Sequence, residues 1–241
     1  MNNTFLLIHG SWHGGWAWDS VARKLAEKGH CAHAPTLAGH GLVAKRHGIK
    51  HEDCVDSVVT YLEHEGLKDV VVVGHSFGGT VVQRVAQRVP GQLARLVFLD
   101  ALVLDNGQCV FDNLPTEMVD TFNMLVAASS DNTMMIPWEI WRDNFMQDAP
   151  ESEARSVWER LSPEPNQVNL DTPDLSGFCS LPMPRRFIRC RQDRALPQEY
   201  FHPKMSARLG EFKLLEMDGG HEVMFTRPAE LVDKIIEASF D

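Results

Sequence analysis

The run Gly74-His75-Ser76-Phe77-Gly78-Gly79 sets one serine among glycines directly after four valines, Val70 to Val73. A β-branched run of this kind reads as a buried strand, and a tight turn from it into a helix leaves no room for side chains at Gly74 and Gly78. The turn exposes the Ser76 hydroxyl, and a helix starting behind it aims free N–H groups at negative charge developing there. The chemistry expected of Ser76 is therefore nucleophilic attack. A serine hydroxyl is weak at neutral pH, so a histidine must take its proton and a carboxylate must orient and stabilise that histidine.

In a strand-turn-helix setting the three groups come in the order serine, acid, histidine, which leaves His202 and His221 as bases. His221 ends Met217-Asp218-Gly219-Gly220-His221, where a short glycine loop after the last strand can swing an imidazole over the sheet edge. His202 falls inside a predicted helix and reads as a surface residue. Asp193 follows the strand Phe187-Ile188-Arg189-Cys190, so it projects from a strand's C-terminal end, where open α/β sheets build their sites. Asp100 ends the preceding strand and competes for the same role, with Asp105 a weaker third. An oxyanion needs two backbone donors. One is expected from Phe77, the other from Ser11 in the loop Ile8-His9-Gly10-Ser11-Trp12.

These residues need a frame. Strands are expected at Phe5 to Ile8, Cys31 to Ala34, Val70 to Val73, Leu96 to Leu99, Arg186 to Cys190 and Phe212 to Met217. Helices are expected at Trp18 to Lys28, Glu52 to Glu65, Phe77 to Val89, Gln198 to Leu209 and Pro228 to Ser239. Alternating strands and helices imply a doubly wound, mainly parallel sheet of about six strands with helices on both faces. The alternation stops between 106 and 184, where eight prolines punctuate short amphipathic helices and no strand pattern appears. This segment reads as a helical cap inserted into one domain that spans 1–241.

A formal net charge of −10 without an offsetting basic cluster argues against nucleic acid and anionic membrane partners. The first apolar run, Phe5 to Ile8, is too short for a signal peptide or a membrane span. Five scattered cysteines, Cys31, Cys54, Cys109, Cys179 and Cys190, suit reduced thiols and a cytoplasmic location. The eleven histidines offer no His-Glu-x-x-His. His47 and His51 could share a helical face, but a solvated helix start is the expectation there, so neither metal nor cofactor is expected. A homodimer remains open.

Together, Ile8-His9-Gly10-Ser11-Trp12-His13-Gly14-Gly15-Trp16, the Ser76 elbow, Gln192-Asp193-Arg194-Ala195-Leu196-Pro197 and Asp218-Gly219-Gly220-His221 resemble the α/β-hydrolase superfamily. More narrowly, the chain resembles the branch of plant methylesterases, hydroxynitrile lyases and bacterial pyrethroid-type carboxylesterases. The resemblance implies a triad of Ser76, Asp193 and His221 and an oxyanion hole from Ser11 and Phe77. It is loose through the cap. Lyases of this branch carry a lysine after the catalytic histidine to hold departing cyanide; Glu222 stands there instead, and a negative side chain would repel cyanide, so lyase activity is not expected. The elbow's Ser76 also excludes the aspartate nucleophile of dehalogenases.

The cap is expected to set the substrate. Met118, Phe122, Leu125 and Val126 share one helical face, and Trp138, Trp141 and Phe145 another, with Met134, Met135 and Met146 nearby. Phe122, Met135, Trp138 and Trp141 are the cap candidates for the substrate pocket, with His9 and Trp12 from the loop after the first strand. The expected activity is hydrolysis of small hydrophobic carboxylic esters or lactones through an acyl-enzyme. Hydrolysis of β-diketone C–C bonds, and a ligand receptor or cofactor-free dioxygenase retaining the triad, stay open as alternatives.

Overall fold

In the computed structural model, which describes residues 2–240, six parallel strands form one sheet in the spatial order β2-β1-β3-β4-β5-β6. They are β1 (Thr4–Ile8), β2 (Cys31–His33), β3 (Val70–His75), β4 (Leu93–Leu99), β5 (Arg185–Cys190) and β6 (Lys213–Met217). Side chains alternate across a strand, so each apolar run feeds two cores. One face carries Leu6, Ile8, Val70, Val72, Leu96 and Phe98 under α2 (His51–His64) and α3 (Gly78–Arg88). The other carries Phe5, Leu7, Val71, Val73, Val97 and Leu99 under α1 (Asp19–Glu27) and the C-terminal helix Pro228–Ala238. Burial on both faces explains why the strands read as continuous hydrophobic stretches.

Register then decides what meets at the sheet's C-terminal edge. Ile8 pairs with Gly74, so the loop after β1 emerges beside the turn after β3. Cys190 pairs with Met217, which brings Asp193 and His221 out of adjacent strands. The strand order reverses beside β1 and β3, the position at which open sheets leave a crevice.

Between β4 and β5 lie short helices, among them α4 (Thr116–Ala127) and Glu151–Trp158. Two differences from the sequence reading arise here and after β5. Thr133–Met134 pairs antiparallel with Glu164–Pro165, a two-residue ribbon in the segment expected to hold no strand. It is too short to show the period-two pattern. The helix expected over 198–209 is split into Gln198–Phe201 and Lys204–Ala207, because Pro203 has no N–H to continue the ladder. His202 sits at that break, half-buried, with its Nδ1 2.9 Å from Ser206 Oγ.

Candidate active site

Ser76 occupies a left-handed backbone conformation, φ +51°, which costs a non-glycine residue energy and persists only where the surroundings enforce it. Its N–H donates to Leu99 O, and its carbonyl accepts from Gly79 and Leu102. The neighbouring glycines are steric requirements. A Cβ on Gly74 would lie 2.8 Å from Gly78 O, and one on Gly78 would lie 2.6 Å from His9 O. The first turn of α3 can thus press against β1, and the half-buried serine is lifted at the N-terminal end of an 11-residue helix. Among the described residues, neither the Ser11 nor the Phe77 backbone N–H is bonded to a protein acceptor. Both flank Ser76 at the sheet edge.

His221 Nδ1 lies 2.8 Å from Asp193 Oδ2, with both side chains buried. The other Asp193 oxygen accepts from the Ala195 and Leu196 N–H groups, so the carboxylate is fixed before it orients the imidazole. Burial opposes charge on His221. Its facing Asp193 carboxylate outweighs that and holds the imidazole up at about 9. Asp100, the competing acid, is directed elsewhere: both its oxygens accept the Cys190 N–H at 3.0 Å. Burial, then the nearby Asp193 charge, raises the Asp100 carboxyl well above the usual range, favouring its protonated form.

The loop Gly219-Gly220-His221 is held from both sides. Gly220 N–H donates to Asp148 from the cap segment, and a Cβ there would lie 2.7 Å from Asp148 Oδ1. His75 Nε2 lies 3.0 Å from the His221 carbonyl, and burial pushes the His75 imidazole well down, so the neutral ring donates. His13 Nδ1 lies 2.7 Å from Ser11 O, fixing the loop after β1 in the same way; burial lowers its imidazole to about 3. Neither histidine stood out in the sequence as a support, because motif reading names reactive groups and not the donors behind them.

Glu222 corrects the charge argument made from sequence. Its carboxyl is buried beside His13 Nε2 at 3.4 Å and lies outside the chamber. Burial raises it to about 8, so near pH 7 its neutral acid form prevails and no repulsion of an anion follows from it. His75, His221 and Glu222 offer ligand atoms within 4.8 Å of one another. His75 Nε2 and His221 Nδ1 have the partners above, which leaves His75 Nδ1 and His221 Nε2 as the remaining ring nitrogens of that cluster. His51 is likewise no solvated helix start: it is buried with Nε2 2.9 Å from Thr80 Oγ1.

Ser11, Trp12, Ser76 and His221 line a small chamber of about 40 Å³ whose remaining wall is largely apolar, including Phe122, Met134 and Phe145. Met118, Phe122, Phe145 and Ala195 also border a wider mouth of about 340 Å³ beneath α4. Trp12 and Phe122, expected in the pocket, are there. Four other candidates are not. His9 is buried with Nδ1 2.8 Å from Gly10 O and Nε2 accepting from the Leu37 N–H, a scaffold role. Trp138 lies under Arg155, whose guanidinium is 3.6 Å from the ring centre, and packs edge-on to Trp158. Trp141 is buried behind Phe145, stacked at 5.4 Å. Met134, and not Met135, borders the chamber.

For the two tryptophans the local backbone supplies a cause. The chain turns from Trp138–Ile140 into a wide π turn over Trp141–Phe145, closed by Met146 N–H to Trp141 O. A 3.6-residue period therefore does not keep Trp138, Trp141 and Phe145 on one face. Only Phe145 reaches the chamber, edge-on to His221 at 5.3 Å.

A family model described as "Alpha/beta hydrolase family" matches residues 5–234. The chain is similar to "Carbendazim hydrolyzing esterase" of Nocardioides sp. (strain SG-4G), at 30% identity over 96% of this chain and 97% of that protein. It is also similar to "Methylesterase 1" of Arabidopsis thaliana, at 27% over 97% of this chain and 94% of that one. Among solved structures, an "Extracellular alpha/beta-hydrolase from Paenibacillus species" superposes with a TM-score of 0.95 at 37% identity, over 99% of this chain and 100% of that one.

Proposed function

The chain belongs to the alpha/beta hydrolase family, and from that premise we propose that it is a serine hydrolase cleaving small, largely apolar carboxylic esters or lactones. The observation that carries the reading is the half-buried, strained Ser76 sharing one chamber with a His221 already oriented by Asp193. Similarity to an esterase and a methylesterase supports the reaction class.

In this mechanism His221 takes the Ser76 proton as the oxygen attacks the ester carbonyl. The resulting oxyanion is met by the Ser11 and Phe77 N–H groups and by the N-terminal end of α3. Asp193 holds the imidazolium in register. His221 then protonates the leaving alkoxide, which departs and leaves an acyl group on Ser76. Water then gives a proton to His221 as it attacks the acyl carbon, and His221 returns that proton to Ser76 Oγ as the acyl–oxygen bond breaks and the acid leaves. Every step uses side chains and backbone N–H groups of this chain and water. The apolar wall selects hydrophobic acyl or alcohol parts by burying them.

All five cysteines are free, which fits a reducing compartment such as the cytoplasm; the Paenibacillus relative, in contrast, is described as extracellular. No helix among the described residues is long and apolar enough to cross a membrane.

Ester turnover by Ser76→Ala tests the proposal. Loss on the order of 10⁴-fold or more in kcat with an unchanged melting profile is expected. Near-normal activity in a folded variant would refute it.

A further inference from the structure

Asn169 lies in the short helical turn Gln167–Leu170, and only its backbone is accounted for: its N–H donates to Asn166 O. The residue is 2% exposed and borders the chamber that holds Ser76 and His221, and its side-chain Nδ2 has no hydrogen-bond partner. Apart from Ser11, Ser76, His221 and the Trp12 indole N–H, which is bonded to Met134 O, the rest of that chamber wall is hydrocarbon or thioether. A buried amide without a partner is costly, and folded proteins rarely keep one unless something outside the protein completes it. An apolar residue would fill this position at less cost if the substrate were purely hydrocarbon.

Building on the ester hydrolase reading, we propose that Asn169 is a specificity-determining residue whose amide donates to a substrate oxygen other than the scissile carbonyl. The preferred substrates are then compact, uncharged esters or lactones that carry a second acceptor, an ether, ketone or hydroxyl oxygen, within an otherwise apolar frame. The amide stabilises such a substrate and penalises the isosteric hydrocarbon, which would leave the donor buried and unpaired.

The test uses esters matched in shape. On the acyl side, p-nitrophenyl cyclohexanecarboxylate is compared with its tetrahydropyran-3- and -4-carboxylate counterparts. On the alcohol side, cyclohexyl acetate is compared with tetrahydropyran-3-yl and -4-yl acetates. Each kcat/KM is divided by the ester's own alkaline hydrolysis rate, which removes differences in intrinsic reactivity. Wild-type protein should favour at least one ring oxygen position by about 10- to 100-fold. In Asn169→Leu that ratio should fall to near one. Asn169→Ala, which removes the amide and adds no bulk, supplies the same comparison if the leucine variant does not fold. Turnover with no preference at any position, or a preference that survives loss of the donor, overturns the assignment while leaving the hydrolase reading standing. Failure to hydrolyse any of the esters overturns both.

Discussion

The backbone N–H of Trp12 donates to Oε2 of Glu164 over 2.9 Å, joining the loop after β1 to a residue 152 positions further along the chain. Glu164 belongs to the short cap ribbon and also lies 2.8 Å from His40 Nε2, with both side chains fully buried. Ser162 N–H donates to the Trp12 carbonyl, and the Trp12 indole N–H donates to Met134 O. Trp12 itself has φ +63°, so the loop presenting the Ser11 N–H is held in a strained form by the cap. Burial opposes charge on His40, but the Glu164 carboxylate beside it raises the imidazole well above its usual value.

Removing that acceptor should therefore damage both stability and rate. Glu164→Ala leaves His40 Nε2 and the Trp12 N–H without their buried partner, a loss of about 3–5 kcal/mol in denaturant unfolding. Glu164→Gln keeps an acceptor for Trp12 and is expected to retain more kcat than Glu164→Ala. Equal kcat in both variants would detach Glu164 from the oxyanion loop.

The two acids separate by substitution. Asp193→Asn should lower kcat by roughly 10³ to 10⁴, because the amide stabilises the wrong imidazole tautomer. Asp100→Asn should be far milder: the native carboxyl is already pushed toward its neutral form, which an amide resembles. Melting curves accompany both, and the reverse ranking would transfer the role to Asp100.

Much of this frame was readable from residues. Valine runs, Pro and Gly stops and the order Ser76, Asp193, His221 depend on local chemistry that each segment carries by itself. The cap was readable as helical and apolar, but which residues face the chamber depends on a π turn and on partners such as Arg155 that lie far from Trp138 in the pattern. Asn169, Glu164 and the supporting His13 and His75 were invisible for a related reason. Their importance lies in having, or lacking, partners distant in sequence, such as the 152-residue link from Trp12 to Glu164.

The pH profile follows from His221. The free imidazole is needed to take the Ser76 proton, so kcat/KM should rise with pH, along a limb set well above the ordinary 6.5 and toward about 9. Burial is the largest influence on that group and acts downward; the net rise comes from Asp193, with Glu222 and Asp100 adding to it. Glu222→Gln should move the limb to lower pH. A limb at or below 6.5 in wild-type protein would contradict the proposed electrostatics.

Glu222 also makes a stability prediction. Burial raises its carboxyl from 4.5 to about 8, so between those values the folded chain holds a proton that the unfolded chain has released. Its contribution to stability is therefore fully present below about pH 4.5 and is lost as pH climbs toward 8. Glu222→Gln lacks this dependence. Its melting temperature relative to wild type should increase steadily across that window and then level off; a difference independent of pH would exclude a buried, titrating Glu222.

For the cap, Phe145→Ala should alter discrimination among p-nitrophenyl esters of increasing acyl length by about 1–3 kcal/mol, since its ring borders the chamber. Trp138→Ala removes a ring packed on Arg155 and Trp158, so it should lower the melting temperature while leaving the ranking of substrates as it was. Exchange of these two outcomes would put Trp138 back at the site.

The nucleophilic role of Ser76 is tested most directly by treating the native protein with a fluorophosphonate and locating the adduct by peptide mass spectrometry. The expected result is a single modification, on the peptide containing Ser76, appearing in step with loss of esterase activity and absent from Ser76→Ala. An adduct on another residue that tracks the loss of activity, or an active protein whose Ser76 stays unmodified while activity disappears, would contradict the account.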